Sequence, residues 1–240
     1  MLSLFLVPTI SEGDQITIEG DEAHHAITVM RMGIGEELQI TDGRGRWAQG
    51  SITSASRKSF TLLISARGEV EKTDHELVVI QALTKSDRVR ESIELLVEAG
   101  VDRIIPWQSD NSISKWKDDM GEKWATSAIA ACKQSRRYTI PEIERPITLR
   151  EISQRFADDS LLLVLHESAE EKLSSVVSES STSGKNVVLV IGPEGGMSAH
   201  ELRELERIGG KIVKLGTPVL RSAHAGIAGL AAVQALMKRW

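Results

Sequence analysis

The feature that most constrains the fold is a set of continuous apolar runs in the second part of the chain. These runs are LVVIQAL, RIIPW, LLLVLH, VVLVIG and KIVKLG. Between the first two lies SDRVRESIELLVEAGV, in which Val89, Ile93 and Leu96 share one helical face and Gly100 ends the helix. Strands buried on both faces are apolar throughout, and alternation with helices favours a parallel sheet. We therefore expect an α/β domain with helices on both faces of a mostly parallel sheet.

The first part of the chain has a different pattern. Over residues 2–67, short β-like segments are separated by Gly, Asp and Ser turns, with one helical stretch near residues 23–32. The charged segment 67–76 shows no periodicity and marks a boundary. A length of 240 residues accommodates two domains. We expect a small β-barrel over residues 1–70 and the α/β domain over residues 71–240.

Composition excludes several classes of protein. A formal net charge of −5 argues against a generally cationic nucleic-acid binder and leaves room for a local basic patch. Cys132 is the only cysteine, so neither a disulfide framework nor a Cys/His metal set is expected. The start MLSLFLVP lacks a basic n-region and indicates a first strand, and no run approaches the roughly 18 apolar residues of a membrane span. These features predict a cytoplasmic protein without a metal or membrane partner.

The segment VVLVIGPEGGMSAHELREL joins a strand to a helix through a glycine-rich loop. Ser198 and Glu201 form a capping-box pattern at the start of that helix. Such a loop presents backbone N–H groups to a ligand, although a plain strand-to-helix connection remains the alternative. Neither a Walker motif nor G-x-G-x-x-G is present, which disfavours nucleotide phosphates. Because ligands of parallel sheets bind at the carboxyl ends of strands, the strand ends at His166, Gly192 and Gly216 are expected to form one pocket.

Taken together, these motifs resemble the SPOUT methyltransferases and, more narrowly, the ribosomal RNA small-subunit methyltransferase E family. The resemblance rests on IGPEGG, on Leu215-Gly216 and Leu220-Arg221 before a small-residue helix, and on LFLVP, VMRMGIGEELQITDGRG, KSDRVRESIELLVEAGVDRIIP and AACKQSRRYTIPEI. It implies a PUA-like β-barrel that helps to bind RNA, followed by a SPOUT-type parallel sheet with a deep trefoil knot. It also implies a homodimer that uses S-adenosylmethionine to methylate N3 of a uridine in 16S ribosomal RNA within the small subunit.

The resemblance further implies which residues hold the methyl donor. Glycines let the main chain approach a ligand closely, and aliphatic side chains can sandwich an adenine ring. The expected donor-binding residues are Leu165, His166, Ile191, Gly192, Pro193, Gly195, Gly196, Leu215, Gly216, Leu220, Ser222 and Ala225.

Two residues are candidates for the chemistry. Methyl transfer is a direct displacement, so positioning supplies much of the acceleration, and a cation would stabilise the anion left when the uridine N3 proton departs. Arg221 is the candidate cation, with a purely structural role at the knot or a helix end as the alternative.

The family commonly reads L-G-x-R-I-L-R-x-E-T-A, whereas this chain has Pro218 and Ala223 at the first arginine and the glutamate. The proton acceptor is then Glu194, His224 or water, with a structural role for His224 left open.

An RNA contact surface is predicted from a local excess of positive charge. Residues 133–150 include five basic and two acidic residues, so this segment is positively charged although the whole chain is negatively charged. For each side chain alone a solvated surface charge is the favoured interpretation, so the prediction rests on the cluster. The predicted RNA-binding residues are Arg31, Lys85, Arg88, Lys133, Arg136 and Arg137. Two other functions stay open: a catalytically silent RNA-binding relative, and a SPOUT enzyme that acts on another RNA or on a ribose 2′-OH.

Overall fold

A computed structural model describes residues 2–84, 86–156, 160–178, 182 and 184–240. Within it the chain forms two compact units. The first comprises Met1–Lys72 together with Cys132–Ile140, and the second comprises Thr73–Ala131 and Pro141–Trp240. The expected division at residue 70 stays a prediction. The segment Cys132–Ile140 belongs with the first unit although it lies far along the chain.

The first unit is built on a five-stranded sheet. Its strands are β1 (Ser3–Leu6), β2 (Gln15–Glu19), β3 (Glu37–Thr41), β4 (Arg46–Ala55) and β5 (Ser59–Glu69). They run in the order β1-β3-β4-β5-β2, with β1 and β3 parallel and the other pairs antiparallel. The predicted helix near residues 23–32 is a short α1 (Asp21–His24) followed by a π-helical turn, His25–Val29. Alternation along β2 buries Ile16 and Ile18 and exposes the residues between them, as expected for a half-buried strand.

The segment Cys132–Ile140 is bonded into this unit through its backbone. Gly45 N–H donates to the Tyr138 carbonyl at 3.0 Å, and Ile140 N–H donates to the Gly43 carbonyl at 2.8 Å. The Tyr138 ring stacks on Trp47, with ring centroids 5.3 Å apart. These contacts join residues about ninety positions apart, which is why local sequence patterns do not reveal them.

The second unit contains the predicted parallel sheet. Its strands are β6 (Leu77–Ala82), β7 (Arg103–Trp107), β8 (Glu142–Ile143), β9 (Ser160–Leu165), β10 (Asn186–Ile191) and β11 (Lys211–Val213). They run in the order β11-β9-β10-β6-β7-β8, and every pair is parallel. Strand β6 is buried along its whole length, as its almost entirely apolar sequence predicts. The expectation of an α/β domain with a mostly parallel sheet is confirmed.

Helices cover both faces of this sheet. The helices that follow β6 along the chain are α2 (Ser86–Glu98), α3 (Met120–Ser135), α4 (Leu149–Arg155), α5 (Leu173–Val176), α6 (Ala199–Arg207) and α7 (Ser222–Leu236). On one face, Val188 and Val190 pack in a core cluster with Ile152 of α4 and Leu205 of α6. On the other face, a Cβ added at Gly229 of α7 would lie 2.6 Å from Leu189 Cδ2, so only a glycine lets the helix approach so closely. The trefoil knot implied by the resemblance stays a prediction.

Helix α2 ends where the sequence pattern predicts. Gly100 adopts φ +85°, and Val101 N–H reaches back to the Leu96 carbonyl at 3.1 Å. A left-handed glycine at this position satisfies the last carbonyls of a helix. No helix formed by the described residues is both long and apolar enough to cross a membrane.

Candidate active site

The strand ends that the sequence singled out lie side by side. In the parallel register, Leu165 of β9 is aligned with Ile191 of β10 and with Val213 of β11, and Ile191 is aligned with Gln81 of β6. The carboxyl ends of four adjacent strands therefore form one edge. This is the edge at which open parallel sheets bind their ligands.

A cavity of about 560 Å³ lies at this edge. Its wall contains most of the predicted donor-binding residues together with the candidate cation: Leu165, His166, Ile191, Gly192, Pro193, Gly196, Leu220, Arg221, Ser222 and Ala225. An adjoining cleft of about 70 Å³ shares several of these residues and adds Leu215 and Gly216. Gly195 is not among the described residues of either wall, and a Cβ added to it would lie 3.3 Å from Asn111 Cβ. The structure thus gathers the predicted donor-binding residues in one region, and their binding roles stay predictions.

The glycine loop has the geometry that its composition predicts. Gly196 adopts φ +72°, a region that side-chain-bearing residues rarely occupy, and its N–H donates to the Pro193 carbonyl at 2.9 Å. The predicted capping box at the start of α6 is confirmed, because Ser198 Oγ accepts from Glu201 N–H at 3.2 Å and Glu201 Oε2 accepts from Ser198 N–H at 2.7 Å. Glu201 is only 1% exposed, which the sequence pattern did not reveal.

A chain of buried hydrogen bonds fixes the start of α7 against the glycine loop. Ser222 Oγ donates to the Gly192 carbonyl at 2.6 Å, and Gln81 Nε2 donates to Ser222 Oγ at 3.0 Å. Ser92 Oγ in turn donates to Gln81 Oε1 at 3.3 Å. Gln81 is 1% exposed and was missed in the sequence, although a single amide in an otherwise apolar strand was a signal that could have found it.

Arg221 is placed at the N-terminal end of α7. Its carbonyl accepts from the N–H groups of His224 and Ala225, both at 2.9 Å, while its exposed side chain makes no capping hydrogen bond. A side-chain capping role at this helix end is therefore not observed. Arg221 is one of the residues that line the cavity, and its catalytic role stays a prediction.

The side chain of His224 is held by a carboxylate. His224 Nε2 lies 3.2 Å from Glu91 Oε1, and Arg88 Nη1 lies 3.3 Å from the other oxygen of the same carboxylate. The hydrogen bond with His224 is the largest cause of a lowered pKa at Glu91, and Arg88 acts in the same direction. Arg88 lines the cavity, whereas His224 is not among the described residues of its wall. Glu91 was missed in the sequence because only the fold brings α2 beside α7.

His166 is oriented by its own loop. Its Nδ1 accepts the Ser168 backbone N–H at 3.2 Å and lies 2.8 Å from Ser168 Oγ. An Nδ1 that accepts a hydrogen bond leaves Nε2 as the protonated nitrogen of the neutral ring. His166 is also one of the residues of the cavity wall.

The predicted RNA-binding residues are dispersed over both units. Lys85 lies outside the described residues, and Arg31 is exposed with φ +59°. In the first unit, Lys133 Nζ lies 2.7 Å from Glu22 Oε1, and Arg136 Nε donates to the Leu2 carbonyl at 2.7 Å. Arg137 Nη2 lies 3.5 Å from Thr139 Oγ1. Several of these cations thus have partners within the chain, and their RNA-binding roles stay predictions.

In the part of the chain that the structure describes, no group of three or more His, Cys, Asp or Glu side chains is arranged to hold a metal ion.

Comparison with known proteins assigns each of the two parts of the chain to a domain family. A family model described as an RNA methyltransferase PUA domain matches residues 18–65, and one described as an RNA methyltransferase domain matches residues 71–234. The fold and the glycine-loop cavity thus define an RNA methyltransferase with an N-terminal PUA domain.

Similarity over the whole length identifies the family more closely. The chain is 35% identical over 246 aligned residues to the ribosomal RNA small subunit methyltransferase E of Mycobacterium bovis, covering 99% of this chain and 93% of that protein. The chain therefore belongs to the ribosomal RNA small subunit methyltransferase E family. The Neisseria gonorrhoeae member, solved with S-adenosyl methionine, matches with a TM-score of 0.87, 25% identity and 98% coverage of both chains. A Legionella pneumophila methyltransferase solved with the cofactor SAM matches with a TM-score of 0.83, 27% identity and 98% coverage of both chains.

Proposed function

We propose that this S-adenosylmethionine-dependent ribosomal RNA methyltransferase transfers its methyl group to N3 of a uridine in the 16S RNA of the small subunit. The single observation that carries the choice of chemistry is the placement of Arg221. Arg221 is exposed and lines the cavity that contains the glycine loop, and its side chain makes no capping hydrogen bond to α7.

The residues of the cavity fit a donor that has both a flat aromatic ring and polar groups. Ile113, Val219 and Leu220 are 66%, 73% and 41% exposed at the cavity wall, so they offer apolar surface to a ring. The backbone around Gly192 and Gly196 lies open to the same space. Bound there, the donor supplies an electrophilic methyl group on a sulfonium.

Arg221 acts on the charge that the reaction creates. Methylation at N3 requires the loss of its proton, and the resulting negative charge spreads to the neighbouring carbonyl oxygens. A guanidinium carried at the N-terminal end of α7 stabilises that charge. Arg88 lines the same cavity, and its contact with Glu91 holds it there as a second cation for the RNA.

The proton acceptor is a group other than residue 223. Ala223 lines the cavity and is 3% exposed, and its side chain carries no acceptor. Two carboxylates, Glu167 and Glu194, lie on the cavity wall. We assign the proton to Glu194 or to water that it orients, since His224 is engaged with Glu91 outside the wall.

Transfer of labelled methyl groups tests the proposal. Small ribosomal subunits and naked 16S RNA from a strain that lacks the modification are incubated with the protein and labelled S-adenosylmethionine, and the RNA is digested to nucleosides. We expect N3-methyluridine, with assembled subunits as the better substrate. Label in a 2′-O-methylated nucleoside or in another RNA would refute the proposed atom or substrate, and donor binding without transfer would indicate the silent RNA-binding relative.

Two further expectations belong to this proposal. A homodimer follows from the resemblance, and sedimentation of the purified chain tests it. A cytoplasmic location follows from a ribosomal substrate, and fractionation of cells that express a tagged chain tests it.

A further inference from the structure

Four side chains fasten the segment 109–112 to the glycine loop of the cavity. Asp110 and Asn111 lie in that segment, and Ser198 and Glu201 begin helix α6. We propose that these four residues, which we call the loop clamp, are positioning residues that set the affinity for the methyl donor. The proposal rests on the proposed use of the cavity for that donor.

Glu201 is the centre of the loop clamp. Its Oε1 accepts the Asp110 backbone N–H at 2.8 Å, and its Oε2 accepts the Ser198 backbone N–H at 2.7 Å. The residue is 1% exposed, and a buried carboxylate is stable only when its oxygens are bonded. Both oxygens are thus committed, one to each of two loops that are about ninety residues apart in sequence.

Two further bonds complete the loop clamp. Ser198 Oγ donates to Asp110 Oδ2 at 2.7 Å, and Asn111 Nδ2 donates to the Gly196 carbonyl at 3.0 Å. A Cβ at Gly195 would lie 3.3 Å from Asn111 Cβ, so the glycine permits this close approach. The segment is itself a tight turn, because Ser112 N–H donates to the Ser109 carbonyl at 3.1 Å.

The loop clamp is connected to two parts of the cavity wall. On one side it holds the backbone of Gly196, and on the other it precedes Ile113, whose side chain lines the cavity. A segment with three glycines in five residues has much conformational freedom, and ordering it upon binding weakens affinity. A loop that is fixed in advance avoids that loss, so the clamp is expected to act on donor affinity.

The chain provides a matched control in a second capping box. On α4, Glu151 Oε2 accepts the Thr148 backbone N–H at 2.8 Å, as Glu201 does for Ser198 on α6. The other Glu151 oxygen lies 2.8 Å from Arg145 Nη1, and α4 carries none of the predicted donor-binding residues. The two carboxylates make the same capping hydrogen bond, and they differ in burial and in whether the second oxygen reaches a loop of the cavity.

The test compares Glu201→Gln with Glu151→Gln in the full chain. A glutamine has one acceptor oxygen, so at position 201 its amide would face an N–H donor and one of the two links would be lost. Calorimetry with S-adenosylmethionine is expected to show a dissociation constant about tenfold higher for Glu201→Gln, which equals ~1.4 kcal/mol, and an unchanged one for Glu151→Gln. At saturating donor, kcat should stay within about twofold of wild type for both variants, because the clamp touches no reacting atom.

Asn111→Ala is the second variant, since its exposed side chain can be removed without opening the core. It should raise the donor dissociation constant several-fold without lowering the melting temperature by more than Glu151→Gln does. Equal donor affinities in wild type, Glu201→Gln and Asn111→Ala would overturn the loop clamp alone. Absence of donor binding by the wild type would overturn the proposed function together with the clamp.

Discussion

Replacement of Gly196 isolates the contribution of one backbone conformation to donor binding. Gly196 adopts φ +72°, and a Cβ added there would meet nothing within 4 Å. A side chain at this position therefore causes no collision, and its whole effect comes from the backbone. Gly209, at the end of α6 and away from the cavity, has φ +89° and equally open surroundings, so it is a matched control.

The expected size of the effect follows from the cost of left-handed backbone. For a residue other than glycine this conformation costs roughly 1–2 kcal/mol. If the variant loop relaxes in the free protein, donor binding must restore the left-handed backbone at this cost. The dissociation constant then rises about 5- to 30-fold. Asparagine tolerates the left-handed region and β-branched residues do not, so Gly196→Asn should lose least, Gly196→Ala more and Gly196→Val most.

Calorimetry with S-adenosylmethionine and thermal unfolding are measured for both glycine series. We expect the donor dissociation constant to follow the order asparagine, alanine, valine at position 196 and to stay constant at position 209. Substitutions at position 209 should lower the melting temperature instead. If Gly196→Val bound donor as wild type does and lost as much thermal stability as Gly209→Val, the left-handed backbone would be unrelated to binding.

Three other results are expected. Arg221→Ala should lower kcat far more than donor affinity, because the guanidinium acts on charge formed during the reaction, and a wild-type kcat would refute that role. The pKa of Glu151 is lowered from 4.5 to about 2, first by the Thr148 backbone N–H and then by Arg145, so its stabilising effect is complete above about pH 4.5 and is lost as the pH falls through about 2. The difference in unfolding free energy between wild type and Glu151→Gln should shrink over that range, and a constant difference would contradict the assignment. Burial raises the pKa of the Cys132 thiol to about 11, so iodoacetamide should modify it slowly at pH 8 in the folded protein and quickly in urea, and equal rates would contradict its burial.

Features that depend on a few neighbouring residues were predicted well from the sequence. The Ser198–Glu201 capping box and the glycine end of α2 each involve positions within five residues of one another, so local chemistry decides them. The parallel sheet was predictable because continuous apolar strands alternate with helices. The stretch near residues 23–32 was predicted less well, since helical spacing alone does not distinguish an α-helix from the π-helical turn that follows α1.

Long-range polar contacts could not be predicted in this way. Gln81 and Ser222 are 141 positions apart, and Asp110 and Glu201 are 91 positions apart. Nothing in the spacing of such residues indicates their pairing, because each pair forms only after the sheet has assembled. Lys133 was selected by charge alone, and its contact with Glu22 at 2.7 Å is likewise one that the sequence spacing does not indicate. The grouping of the three strand ends was predictable for a different reason, because ligands of parallel sheets bind at the carboxyl ends of the strands.

A loop rich in glycine is flexible, whereas a binding site requires an ordered loop. In this structure hydrogen bonds hold both ends of the glycine loop. At one end, the Gly192 carbonyl is fixed by Ser222, which is itself held by buried Gln81. At the other end, the Gly196 carbonyl is fixed by Asn111. The glycines therefore supply close approach and left-handed backbone, while polar residues distant in sequence supply rigidity. Because Arg221 directly precedes Ser222, the same hydrogen bonds also place the backbone of the candidate cation beside the glycine loop.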